Sequence, residues 1–318
     1  MNRAISTFTY NVLVRCSWLQ RRRYTVWLWR VISRLSGIVG SGIVSTTIHG
    51  KRVDVPFGYP YPVITRTIST FNAPLIELMF ERHRAKNARV NVIDVGASVG
   101  DTALLLLANC PDMIGRIYCV EGEEEFFRLL KKNIGRYRNV TMYCAMLSSE
   151  TGSAKKLVRI HPGTASAVGA GTIPTTSLDT LINGEGIAEV DILKIDVDGY
   201  DGRVLKGAAG LLRKNKPDIF FEWHPGLCLK AGNAPTEHFN VLSKEGYTSF
   251  IFFTKLGEFS HFMNGFDRKA VEHLIGYCLD PEAPEDWHYD VVALPAKSSI
   301  SPSALAVGRF ARWKISPF

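Results

Sequence analysis

From residue 90 onward, short apolar runs alternate with longer amphipathic ones, and that alternation limits the fold more than any other feature of the chain. "RVNVIDV" reads as a strand, "VGDTALLLLANC" as a helix stopped by Pro111, and "GRIYCVE" as the next strand. "EEEFFRLLKKNI" reads as a helix whose glutamates sit at its positive end and whose lysines sit at its negative end, with Gly135 after it. "NVTMYCAML", "VDILKID", "DIFFEWH", "YTSFIFFT" and "YDVVALP" supply further strands. "GYDGRVLKGAAGLLRKN" and "TEHFNVLSKEG" are helical between them, while residues 149–178, with "HPGTASAVGAGTIP", read as irregular. The pattern predicts an α/β fold, a doubly wound and mostly parallel sheet covered by helices on both faces.

Upstream, "IVSTTIHGKRVDVPF" alternates around His49-Gly50 as a hairpin should, and "NAPLIELMFERHR" reads as a helix with Pro74 in its first turn. The expected organisation is a basic amphipathic arm (1–42), a hairpin with a lead-in helix (43–88), the α/β domain (89–295) and a basic tail (296–318).

Charge separates these parts. Residues 1–53 hold nine Lys or Arg and residues 291–318 hold four, with no acid in either. The remaining 25 basic and all 30 acidic residues lie between, so the body is mildly acidic. In the arm, Trp27, Val31, Leu35 and Ile38 share one side of a helix, and Arg23, Arg30 and Arg34 share another. Two coverings suit that apolar side: a membrane surface met peripherally, or the main domain. Arg309, Phe310, Arg312, Trp313 and Lys314 in the tail lean towards the membrane. The arm's charge-free stretches are too short, or too rich in Gly and Ser, to cross a bilayer, and they lack signal-peptide form. Six cysteines without CxxC spacing suit a reducing compartment, with Cys119 and Cys144 as small hydrophobes in strands. The expected location is cytoplasmic, at the inner face of the membrane if the arm docks there.

"NVIDVGASVGD" joins the first core strand to its helix with the spacing Asp94-x-Gly96-x-x-x-Gly100. A pyrophosphate site prefers GxGxxG, and an acid two residues before the first glycine is a poor neighbour for phosphate. It is a good neighbour for a cation, and S-adenosylmethionine (SAM) carries an amino group and a sulfonium. Gly96 and Gly100 allow close backbone approach, and the helix N-terminus offers amides to the ligand's carboxylate. Glu121 ends the next strand, where an acid grips ribose hydroxyls. Asp94, Gly96, Ala97, Ser98, Gly100, Asp101 and Glu121 form the expected cofactor set.

The segments "VIDVGASVGDTALLL", "VEGEEEFFRLLKKNI", "TTSLDTLI" and "VDILKIDVDGYDGRVLKGA" resemble, in order and spacing, the FkbM family of SAM-dependent methyltransferases over about residues 90–225. The resemblance implies the Rossmann-like sheet of class I SAM methyltransferases and O-methylation, often of a sugar hydroxyl in a polyketide, glycolipid or surface glycan. Many relatives have "DVEG" and a second glutamate where this chain has Asp198 and Asp201, and "VEP" where it has Val120-Glu121-Gly122.

"DILKIDVDGYDGRVLKG" places Asp196, Asp198 and Asp201 within six positions at a strand end. An EF-type calcium loop fails there, because its position 6 would be Asp201 instead of glycine and its position 12 Gly207 instead of glutamate. Asp196 should face the transferred methyl, beside the glycine-loop strand, as the acceptor-positioning group or base. His224, ending the following strand, is the competing base. Lys194 alternates to the same face as Asp196, to pair with it or with an acid on the substrate. Asp198 is expected to cap the helix starting near Gly199, and Asp201 to complement its dipole. No metal is favoured, although Asp196 and Glu222 with His224 could hold a divalent ion. Residues His161–Gly171 are expected to act as an acceptor lid.

Two rival functions fit less well. A nucleic-acid methyltransferase would suit the basic ends, but the turn after Asp196 lacks the Pro-Pro-aromatic sequence of base N-methylation and has no cysteine for C5 methylation. The acidic body also gives phosphate no track, so nucleic acid is not the expected partner. A non-catalytic SAM-fold binding module would not need Asp94, Gly96, Gly100, Glu121 and Asp196 together. The acceptor expected is a sugar or a glycolipid.

Overall fold

The computed structural model describes residues 3–21, 28, 31, 34–35, 40–161, 164–283 and 287–306. The chain opens with helix α1 (Arg3–Arg15), a short 3-10 segment (Cys16–Arg21), and the hairpin of β1 (Ile43–Ile48) and β2 (Lys51–Pro56). Helices α2 (Tyr61–Thr67) and α3 (Ala73–Lys86) follow. The alternating part runs β3 (Val90–Val95), α4 (Asp101–Asn109), β4 (Ile114–Glu121), α5 (Glu124–Ile134), β5 (Val140–Cys144) and β6 (Met146–Leu147). Next come β7 (Gly152–His161), β8 (Thr164–Thr176), α6 (Leu178–Gly184) and β9 (Ile192–Ile195). The remainder is α7 (Asp201–Lys206), α8 (Ala209–Lys214), β10 (Asp218–Trp223), α9 (Pro225–Lys230), α10 (Glu237–Lys244), β11 (Tyr247–Thr254), β12 (Phe259–Asn264), α11 (Arg268–Cys278), β13 (Tyr289–Pro295) and α12 (Pro302–Ala306).

Eight strands form one sheet in the order β12-β11-β13-β10-β9-β3-β4-β5. The run from β10 to β5 is parallel, and at the other edge β13 runs antiparallel to β10 and β11, and β12 antiparallel to β11. The chain starts at β3, builds outward through β4 and β5, then returns to β9 on the other side of β3. The switch point therefore lies between β3 and β9, where loops leaving the two strands part and open a crevice. The fold is the doubly wound, mostly parallel sheet that the alternation predicts.

Strand residues alternate between two cores. Val90, Val92, Ile192 and Phe220 face one, and Ile93, Val95, Leu193, Ile195 and Phe221 face the other. The first core also takes in Tyr10, Leu13 and Val14 of α1, Val44 and Val55 of the hairpin, and Tyr59 and Tyr61. The amino-terminal elements thus cover one face of the main sheet. α1 buries Ser6, Tyr10, Leu13 and Val14, and Asp54 is held by Arg3, Lys132 and Ser45.

Three expectations change. Residues 149–178 are largely ordered as the antiparallel pair β7–β8, a hairpin whose small residues hide it from a reading by apolar content. The helix expected from Gly199 to Asn215 is two helices. An added Cβ at Gly207 would meet Ser148 O at 2.2 Å, the Gly207 carbonyl accepts from Asp179 N, and the Asp179 carboxylate accepts from Gly210 N and Leu211 N at the start of α8. Cys144 is exposed at the sheet edge, whereas Cys119 is buried. Of the arm's proposed helix faces, Arg23, Trp27, Arg30 and Ile38 lie outside the described residues, as do Arg309, Phe310, Arg312, Trp313 and Lys314. Among the described residues no helix is long and apolar enough to cross a membrane.

Candidate active site

A cavity opens at the carboxyl ends of β3, β4, β9 and β10, above the switch point. Its geometry starts with two glycines. Gly96 has φ +79°, and a Cβ there would meet the Asp196 carbonyl at 1.8 Å, so the loops after β3 and β9 touch only because residue 96 has no side chain. Gly100 has φ +93° and sits against Leu130 and Ile134 of α5. Gly96 N and Ala97 N both donate to Val120 O, fixing the loop to the end of β4.

Glu121 closes that connection. Its carboxylate accepts from Ser98 N at 2.8 Å and from Glu123 N at 2.7 Å, and it also lines the cavity. Burial pushes its pKa up to about 7, against the pull of the two amides. Asp101, the first residue of α4, accepts from Tyr59 OH and from Thr102 N, and burial raises it to about 6. Ser98 and Asp101 line the cavity with Gly96 and Glu121.

Asp94 takes a different position. It is fully buried below the cavity and is not among its lining residues. Strand register sets it directly across from Lys194, whose Nζ lies 3.0 Å from Asp94 Oδ1 and 3.5 Å from Asp196 Oδ2, and donates to Gly96 O at 3.1 Å. Both Asp94 oxygens are enclosed without a well-directed hydrogen bond, so the contact with Lys194 is an ion pair by proximity. Burial opposes a charge on Lys194, yet Asp94 and Asp196 together hold its ammonium above the ordinary lysine range. Burial pushes Asp94 upward against the same ammonium. Lys194 therefore ties the glycine loop, Asp94 and Asp196 into one unit.

The far wall carries Asp196, Asp198, Tyr200, Glu222, His288 and Asp290. Asp196 is about half exposed, its side chain at 46%. Glu222 and Asp290 face each other across the β10–β13 ladder, and His288 Nε2 lies 3.4 Å from Glu222 Oε1. Burial, reinforced by Asp196, pushes Asp290 up to about 8 and Glu222 well above its usual value. Two carboxyls side by side in a dry wall do not ionise together. Among the described residues no group of three or more His, Cys, Asp and Glu is arranged to hold a metal ion.

His224 stands outside this lining. It is the N-cap of α9, with Nδ1 accepting from Leu227 N at 3.3 Å, and its ring stacks on that of His288 at 5.1 Å. Ala97 and Gly100 support the loop without lining the cavity. The helix after Asp196 begins at Asp201 with Tyr200 at its N-cap, and no side chain caps it. Instead the Asp201 carboxylate reaches back to accept from Val197 N and Gly199 N. Asp198, in the left-handed region at φ +51°, faces the cavity and does not cap the helix.

Sequence reading missed lining residues that come from outside the strands it had marked for the site. Tyr59, Tyr61, Phe71 and Asn72 come from the segment before the sheet, and His288 and Asp290 from its last strand. An aspartate inside the apolar run "YDVVALP" and the aromatic-proline cluster "GYPYP" were the available signals, since a buried acid or a packed tyrosine at such places asks for a reason.

Among the described residues, the lining holds six carboxylic acids, Asp101, Glu121, Asp196, Asp198, Glu222 and Asp290, and Lys194 as its one lysine or arginine. Such a cavity suits a cationic ligand.

Comparison with known proteins agrees with this chemistry. Residues 94–249 match the methyltransferase FkbM domain. No curated protein matches the chain. Among solved structures, methyltransferase FkbM from Methylobacillus flagellatus KT aligns at 14% identity and a TM-score of 0.41, over 64% of this chain and 43% of its own, so the chain spans less than half of that protein. The O-methyltransferase from Bacillus cereus in complex with SAH aligns at 14% identity and a TM-score of 0.40, over 70% of this chain and 80% of its own. Both are overlays of fold, too distant to carry function. A methyltransferase domain implies SAM as cofactor, and the acidic lining fits its sulfonium and ammonium. Glycine loop, Glu121 and the β9 carboxyl end all fall inside the matched segment, so residues 94–249 are similar to a methyltransferase FkbM domain.

Proposed function

We propose that the protein is an O-methyltransferase that moves a methyl group to a hydroxyl on a sugar of a glycolipid, surface glycan or related natural product. SAM, when bound, supplies an electrophilic methyl group. The Gly96–Gly100 loop, Ser98, Asp101 and Glu121 hold the cofactor, and Asp94 acts from below by fixing Lys194. Asp196 is the acceptor-positioning group and base. It is the carboxylate at the switch point that is both open to the cavity and next to the glycine loop, and a hydroxyl donating to it would lose its proton there. Lys194 steadies that carboxylate and is a positioning residue. His224 acts through its stacking on His288.

The far wall carries this reading. Asp196, Asp198, Glu222 and Asp290 offer carboxyl groups to an acceptor, and among the described residues neither lysine nor arginine accompanies them beyond Lys194. Carboxyl groups, ionised or neutral, hydrogen-bond hydroxyls, and none of them offers phosphate a cation, so they favour a polyol over a nucleic-acid backbone. The test is incubation of the protein and its Asp196→Asn variant with methyl-labelled SAM and a host extract. Label in the lipid or glycan fraction, lost in the variant, is expected. Label in RNA or protein, or none above the variant, would overturn the assignment.

A further inference from the structure

Helix α1 is apolar on two sides. Its inner side, Tyr10, Leu13 and Val14, belongs to the core. Its outer side repeats Ile5, Phe8 and Val12 at helical spacing, and Phe8 is 72% and Ile5 49% exposed. Trp18, in the following turn, is 55% exposed. A second apolar stripe left in water on such a helix marks a surface that another apolar phase can cover.

Charge indicates what covers it. A groove between α1 and the hairpin is lined by Arg3, Thr7, Phe8, Asn11, Arg15 and Arg52. Arg15, Lys51 and Arg52 are exposed around the stripe. Residues 1–53 contain no acid, and Asp54, next in sequence, is buried under Arg3 and Lys132. Basic residues beside aromatic and aliphatic side chains on an amphipathic helix match an anionic lipid surface, where cations meet headgroups and the apolar side chains enter the acyl boundary.

We propose that the outer face of α1, with Ile5, Phe8, Val12 and Trp18 inserted and Arg15 and Arg52 at the headgroups, docks the protein on an anionic phospholipid bilayer. This face is not the one read from the sequence, which centred on Trp27–Ile38. It is also connected to the cavity: Tyr10 OH, on the inner side of α1, donates to the Tyr59 carbonyl at 2.6 Å, and the Tyr59 side chain lines the cavity beside Asp101. The helix proposed to meet the lipid therefore touches a residue of the cavity wall directly. The inference stands whatever the acceptor is.

The test is co-sedimentation of the full chain with vesicles of phosphatidylcholine alone and of phosphatidylcholine mixed with phosphatidylglycerol. Binding to the mixed vesicles only, weakened by salt, is expected. Ile5→Ser, Phe8→Ser and Val12→Ser together should weaken it about tenfold or more, and Arg15→Glu with Arg52→Glu should do so by a similar factor. Circular dichroism checks that both variants fold. The charge pair lies on the surface and keeps the test valid if the serine triple does not fold. Absence of binding to the anionic vesicles would overturn the proposal. So would binding that both folded variants retain, or a stripe whose loss abolishes a dimer and leaves lipid binding intact.

Discussion

The two ends of the cavity are built in different ways. At the cofactor end the backbone does most of the work: Gly96 and Ala97 amides hold Val120, Ser98 and Glu123 amides hold Glu121, and consecutive residues of one loop lie where the ligand is expected. At the acceptor end the wall is assembled from the loop after β9, from β10 and from the start of β13 with the residue before it, segments that are distant in sequence. The first end is a local motif, and the second is a product of topology. Substitutions at the first should therefore disturb stability and SAM binding together, whereas substitutions at the second should change turnover and pH response.

The largest effect tests the element shared by both ends. Lys194→Met leaves Asp94 buried without its cation, and breaking a buried pair costs about 3–5 kcal/mol. Chemical denaturation should show that loss, and a variant as stable as the wild type would mean that Asp94 is neutral and the ends are independent. Gly96→Ala comes next. The new methyl has no room against Asp196 O, and φ +79° strains any residue with a Cβ, so the cost is on the order of 3 kcal/mol with SAM binding lost in calorimetry.

Glu121→Gln is smaller, because the cavity keeps its shape. An amide cannot accept from both Ser98 N and Glu123 N with the strength of a carboxylate, and SAM affinity should fall about tenfold. Asp290→Asn, at the other end, should leave SAM affinity alone and alter the pH dependence of stability. The folded pKa of Asp290 is raised from 3.8 to about 8, so the wild type loses stability as pH rises between those values. The variant lacks that loss. Its thermal midpoint should match the wild type below pH 3.8 and exceed it increasingly towards pH 8, by about 2–4 °C per kcal/mol. A variant less stable than the wild type at pH 8 would show that Asp290 is ionised and satisfied.

The same contrast explains what could be read from the sequence. The strands of the parallel core, the glycine loop, Glu121 and the adjacency of Asp196 to that loop follow from periodicity and from the rule that ligands gather at switch points. The position of Asp94 beneath the cavity did not follow, because spacing cannot reveal that strand register aims it at Lys194. His224 looked poised by sequence, but a helix start at Pro225 turned its Nδ1 to a backbone amide. The β7–β8 hairpin was hidden by glycine, alanine, serine and threonine, whose pairing rests on backbone hydrogen bonds that leave no apolar signature. Tyr59 and Asp290 reach the cavity from opposite ends of the chain, and such distant convergence has no local signal.

The most direct measurement is a calorimetric titration of SAM into the wild type and the Asp196→Asn variant, with label transfer to the host extract followed on the same samples. The account predicts comparable SAM affinity in both proteins and transfer only in the wild type, since the cofactor end does not need the Asp196 charge and the acceptor end does. Failure of the folded wild type to bind SAM, or undiminished transfer by the variant, would contradict it.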